Sequence, residues 1–80
     1  MTSRTKIKIM KEYAVIYEQG EHNWGAIVPD LPGCVSIGNT LEEAQSNVKE
    51  AIELYLEVLI ERGESIPDPK HKAGIVTVAA

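Results

Sequence analysis

Cys34-Val35-Ser36-Ile37-Gly38-Asn39-Thr40-Leu41-Glu42-Glu43-Ala44 holds a strand, a break and a helix start in one short run. Val35 and Ile37 are β-branched and alternate with a polar neighbour, which suits a pleated segment, and Gly38-Asn39 interrupts it. Thr40 followed three residues later by Glu43 is a capping box: a hydroxyl and a carboxylate placed to satisfy the first orphan amides of a helix. Leu41, Ala44, Val48, Ala51, Ile52, Tyr55 and Leu59 then recur at three- and four-residue spacing, so the helix continues to about Arg62 with one apolar stripe. Gly63 suits a left-handed C-cap, and Arg62 complements the negative end of the helix dipole.

Upstream, Pro29-Asp30-Leu31-Pro32-Gly33 reads as a rigid turn, with two fixed φ angles, an Asp able to bond nearby amides and a glycine that permits positive φ. Before it, Tyr13, Val15 and Tyr17 share one side of an extended segment while Ala14 and Ile16 take the other. The polar cluster Gln19 to Asn23 separates this first strand from a second, Trp24-Gly25-Ala26-Ile27-Val28, which Pro29 ends. Downstream, Glu64 to Lys72, with Pro67 and Pro69, is an extended connection, and Ile75-Val76-Thr77-Val78 reads as a last strand. The order is β-β-β-α-β. It predicts an α+β, two-layer domain: a three-stranded antiparallel sheet plus a fourth strand, parallel to a neighbour, covered by one long helix. Residues 1–12 form a basic N-terminal extension with Arg4, Lys6, Lys8 and Lys11, and residues 13–80 form the single domain. Within the extension Lys6-Ile7-Lys8-Ile9 alternates like a strand, but the alternation slips at Met10-Lys11.

Eighty residues, 44% hydrophobic and 25% charged, hold one small core, which rules out a multidomain enzyme. A chain this short buries only about 60 to 65% of its unfolded surface, so a surplus of apolar surface points to a partner. The helix shows such a surplus: Leu54, Leu56, Val58 and Ile60 fall outside the stripe. They are expected to form a homo-oligomer interface, in a dimer or a tetramer, the other reading being that the connection from Ile66 to Lys72 folds back over them. Cys34 has no partner for an internal disulfide, and neither a signal-like leader nor an apolar run of membrane length is present, which reads as a soluble, cytoplasmic chain with no membrane role. The net charge of −4 opposes a phosphate backbone as the main ligand and fits a basic protein partner, although the basic arm leaves a minor nucleic-acid reading.

Little in the sequence points to chemistry. His22, Cys34 and His71 lie apart and lack metal-ligand spacing, so neither a metal nor a cofactor is expected. Cys34 reads as a small apolar strand residue rather than a nucleophile, since no histidine is paired with it by pattern. Glu42, Glu43, Glu50, Glu53, Glu57 and Glu61 lie on the polar arc of the helix and form a solvated face able to attract a basic partner. The glycines are scattered singly and build no phosphate loop. Trp24, beside the hairpin loop, is either a core or sheet-face residue or a partner-binding anchor.

Tyr13-Ala14-Val15-Ile16-Tyr17-Glu18, the run Trp24 to Cys34 with its V-P-D-L-P-G-C turn, the helix start Thr40-Leu41-Glu42-Glu43-Ala44 and Ala51-Ile52 together resemble the HicB antitoxin family over roughly residues 10–69. The turn followed at close range by T-L-E-E-A is the most specific part. The resemblance implies a degraded, partial ribonuclease H-like domain without enzymatic activity. It also implies a partner, HicA, a small basic toxin that cleaves messenger RNA and whose active site the antitoxin masks. Toxin contact is expected at Glu18, Trp24 and Asp30. Many full-length relatives add a C-terminal DNA-binding domain. This sequence reaches Ala80 just after the last expected strand, so DNA binding by this chain alone is not expected. The alternative is a solitary HicB-like module that binds nucleic acid or a small ligand and has no cognate toxin.

Overall fold

The computed structural model describes residues 10–80, so the alternation expected at Lys6 to Ile9 and most of the basic extension lie outside the described residues. Three short strands, β1 (Ile16–Gln19), β2 (Trp24–Ile27) and β3 (Val35–Gly38), precede one helix, α1 (Leu41–Glu61). The sheet is antiparallel throughout in the order β1-β2-β3, as the two short connections between the strands, one polar and one proline-rich, favour. Tyr17 pairs with Ala26 and Ala26 with Ser36, which fixes the register. One residue parity therefore faces the helix: Tyr17, Ala26 and Ser36, continued at the strand ends by Val15, Val28 and Cys34. Tyr13, Val15 and Tyr17 pack on the core from this side, as their alternation predicts, although Tyr13 to Val15 precede the paired strand.

The helix begins as the capping box requires. Thr40 Oγ1 accepts from the Glu43 amide at 3.0 Å, while the Glu43 carboxylate reaches the Asn39 amide at 2.8 Å, one residue before the cap. Such a cap contributes about 1 kcal/mol. At the other end Gly63 takes φ 70°, and the amides of Arg62, Gly63 and Glu64 bond back to Val58, Ile60 and Leu59. Ala44 and Val48 are fully covered and lie over the buried cluster of Ala26, Val28, Leu31 and Cys34. The helix lies over β3 and, less closely, β2. Gly38 permits this approach, since a Cβ there would sit 2.3 Å from the Ala44 amide nitrogen.

The proline-rich turn supplies the largest fully buried side chain. Hydrogen bonds Leu31 N to Val28 O, Cys34 N to Leu31 O and Val28 N to Cys34 O close it, and Gly33 takes φ 81°. The Leu31 side chain is thereby turned under the sheet and left 0% exposed. Tyr55 of the helix donates its hydroxyl to Pro32 O at 3.0 Å, tying the two together.

The fourth strand departs from expectation. Residues 75–78 form no strand in this chain, and Ile75, Val76 and Val78 are bare, Ile75 to 97%. The cause lies in the connection before them, which is fastened elsewhere. Tyr13 donates its hydroxyl to Pro67 O at 2.6 Å, Lys11 pairs with Asp68 at 2.9 Å, and Asp30 holds Lys70 and His71. Residue 67 against 13 and 68 against 11 means that the connection runs away from β1, not alongside it.

Candidate functional site

Two faces of the sheet divide the molecule's roles. The face under the helix is the core. On the other, Ile16 pairs across to Ile27 and Ile27 to Val35, and in the next row Glu18 pairs to Gly25 and Gly25 to Ile37. All four apolar residues of this outer face stay exposed, Ile37 to 63%. Gly25 lacks a side chain, so Glu18 and Ile37 flank a notch floored by backbone; a Cβ at Gly25 would have only Glu18 O in reach, at 4.0 Å. Four exposed β-branched residues in two adjacent rows, beside a carboxylate, form a contiguous apolar patch of the kind that marks interaction surfaces, unlike scattered single apolar residues.

Of the residues expected to contact a toxin, Glu18 lies fully on this platform. Trp24 shares the parity of Ala26, between Gln19 and Gly38, and is half-buried at the end of the helix-facing side. Asp30 is used internally: its side chain is 5% exposed and fastens the C-terminal connection. Its Oδ2 accepts from the amides of Lys70 at 3.0 Å and His71 at 3.1 Å, and its Oδ1 lies 2.7 Å from His71 Nδ1. The turn therefore reaches forty residues along the chain, which local reading of its sequence does not reveal.

Burial works against the charged form of Asp30, but the hydrogen bonds from the His71 ring and from the two amides outweigh it and hold its carboxyl below the usual range. A carboxylate depressed in the folded state stabilises what it holds above its unfolded pKa, near 4, and stops doing so as pH falls through the lower folded value. Acidification below about pH 4 is expected to free residues 70–72 while the core persists, and Asp30→Ala to free them at neutral pH. Amide exchange at Lys70 and His71 reads this directly; protection that survives in the variant would refute it.

The helix residues outside the stripe separate into two kinds. Leu54 and Ile60 are exposed, whereas Leu56 is half-buried against the core and Val58 is half-buried too. The spread of the apolar arc is thus met from two sides: Leu56, with Ile52 and Ile66, lines a groove of about 530 Å³ toward β1, and Leu54 and Val58, with Ala51 and Tyr55, line one of about 420 Å³ toward β3. Cys34 is buried, and burial pushes its thiol up, as befits a packing residue. Among the described residues no group of His, Cys, Asp and Glu is arranged to hold a metal ion, and no helix is long and apolar enough to cross a membrane.

The family model for the HicB-like antitoxin of bacterial toxin-antitoxin systems matches residues 13–78. The chain belongs to the HicB-like antitoxin family. A protein of the UPF0150 group in Thermoplasma acidophilum is 41% identical, over 86% of this chain and 99% of its own length. A 14.9 kDa protein of Haemophilus phage HP1 is 38% identical over 82% of this chain, and Antitoxin HicB 2 of Photorhabdus laumondii is 32% identical over 75%. This HicB-like chain spans 57% of the phage protein and 43% of the Photorhabdus antitoxin. Among solved structures, a chain of a HicA3 and HicB3 toxin-antitoxin complex superposes with a TM-score of 0.65 at 27% identity, covering 75% of this chain and 70% of that one. The three-stranded antiparallel sheet and single helix are thus the HicB arrangement.

Proposed function

We propose that this chain is an antitoxin-type inhibitor, with no enzymatic activity of its own, that binds and masks a small basic HicA-like toxin through the outer face of its sheet. The observation behind this reading is the exposed platform of Ile16, Ile27, Val35 and Ile37 with Glu18 at its side, in a HicB-like chain of net charge −4. An apolar centre supplies the contact area, and the carboxylates of a negatively charged domain speed encounter with a surface built for RNA phosphates. Glu18 faces a basic group of the toxin across the Gly25 notch. Trp24 contributes from the rim, and Asp30 acts indirectly by holding the connection in place. The exposed Leu54 and Ile60, with Val58 beside Leu54, form the self-association surface, distinct from the toxin face, and Leu56 belongs to the core side of the helix.

The test is co-expression and co-purification with a HicA-like toxin encoded beside the gene, with messenger RNA cleavage as the readout. The wild-type chain is expected to form a stoichiometric complex that silences cleavage. Ile37→Lys and Gly25→Leu, which respectively charge the platform and fill the notch, are expected to weaken the complex about 30-fold or more, the cost of losing a central contact. Inhibition unchanged in both variants would move the interface off this face. A wild-type chain that binds no such toxin would leave the solitary nucleic-acid or small-ligand module as the reading to pursue.

A further inference from the structure

The net charge of −4 conceals a division along the chain. Residues 1–11 and 69–80 hold six of the eight Lys and Arg and none of the twelve Asp and Glu, whereas residues 12–68 hold every carboxylate with only Lys49 and Arg62 to offset them. The fold brings the two basic segments together. Tyr13 bonds to Pro67 and Lys11 pairs with Asp68, so residues 10–14 and 69–73 become the two walls of one open cleft of about 670 Å³. Lys70 and Lys72 are exposed along one wall. On the other, Met10 anchors the run that carries Arg4, Lys6 and Lys8: at no more than about 3.6 Å per residue, Lys8 stays within about 7 Å of it and Lys6 within about 14 Å.

Two aromatic rings line the same cleft. Tyr13 is held through its hydroxyl by Pro67 at 2.6 Å, and the His71 ring by Asp30 at 2.7 Å, so both are fixed before anything binds. Cations along a cleft with ring faces between them are the ingredients of a single-strand site, where the lysines track the phosphates and the bases stack on the rings. A duplex keeps its bases stacked inside and cannot use the rings. A folded acidic partner fits less well, since exposed Lys–Glu pairs contribute little, whereas a polyanion also gains from release of its condensed counterions. Glu12 lines the cleft too, and the carboxylates of residues 12–68 confine a phosphate chain to this end by repulsion.

We propose that this basic end is a second binding site, for single-stranded nucleic acid, with Lys6, Lys8, Lys70 and Lys72 on its phosphates and the rings of Tyr13 and His71 against its bases. None of these residues belongs to the platform of Ile16, Ile27, Val35 and Ile37, so the inference does not rest on the toxin reading.

Fluorescence anisotropy of the full chain with labelled RNA and DNA single strands of about 15 nucleotides, and with the duplex of the same DNA, tests it. Both single strands are expected to bind more tightly than the duplex. Four phosphate contacts give a log–log salt slope near about −3, a loss of roughly 50-fold between about 50 and 200 mM salt. Lys70→Gln with Lys72→Gln, and separately Lys6→Gln with Lys8→Gln, should each flatten that slope by about 1.4. His71→Ala should weaken binding about fivefold or more at an unchanged slope, as loss of a stacking face does. Lys49→Gln with Arg62→Gln, on and just after the helix, removes as much charge and should leave the slope as it is. Lys49, Arg62 and residues 70–72 are exposed, so circular dichroism should not change in these variants. Binding that is absent at about 50 mM salt, equal for duplex and single strand, or equally sensitive to the helix and the cleft substitutions overturns the proposal. So does a salt-sensitive doubling of mass that the cleft substitutions abolish while no oligonucleotide binds, which would give the basic end to the acidic body of a second copy.

Discussion

Leu31→Ala is expected to destabilise this domain by about 2–5 kcal/mol, the range for emptying a fully buried leucine site. Leu31 is the largest side chain at zero exposure, and the turn that holds it is closed by three backbone hydrogen bonds and two prolines, so the surroundings have little freedom to collapse into the space. A domain of this size is stable by only about 4–12 kcal/mol in all, and the loss is a large share of it. Urea unfolding followed by tryptophan fluorescence measures the change. A loss below about 1 kcal/mol would mean that the turn is not part of the cooperative core.

Gly38→Ala is expected to be nearly as damaging for the opposite reason. The added Cβ would meet the Ala44 amide nitrogen at 2.3 Å and its Cα at 2.8 Å, and these are backbone atoms of the first helical turn, unable to swing aside as a side-chain end would. Either β3 or the helix start must move, and overpacking of this kind costs about 1–3 kcal/mol or more. Gly25→Ala is the matched control, one strand away with only Glu18 O at 4.0 Å, and is expected to change stability by less than about 1 kcal/mol. Equal melting temperatures for the two variants would show that the close approach of helix to strand carries no energetic weight.

Most of the architecture is legible in short stretches of sequence because its determinants are local. Thr40 and Glu43 announce the helix, Gly63 ends it, and the polar break at Gln19 to Asn23 and the Pro29 to Gly33 turn divide three strands at nearly the observed places. What the sequence leaves hidden depends on residues far apart. Asp30 reads as a brace for its own turn or as a contact for a partner, and only the fold brings Lys70 and His71 to it. Leu31, a single apolar residue among prolines and glycine, has no periodicity to mark it as core. The segment 75–78 has the composition of a strand, but composition does not specify a neighbour, and the fastened connection withholds one. The outer platform carried a usable signal: Ile16 has opposite parity to Tyr17, and Ile27, Val35 and Ile37 follow once the hairpin register is set. Leu56 packs against the core and shares its groove with Ile66, while Leu54 and Val58 line the other side of the helix, so the four apolar residues beyond the stripe do not form one surface.

The ties that fasten the connection span 40 to 57 residues of chain, whereas the hairpins and the helix close over short distances. Loop-closure entropy delays such long-range contacts until the local framework exists, so the connection docks last in folding and is the first part to open. An opened segment is also where proteases cut first. Cleavage is therefore expected to begin in the connection after the helix, at a rate set by how often a few hydrogen bonds at Asp30 and Tyr13 let go, without any need for the core to unfold.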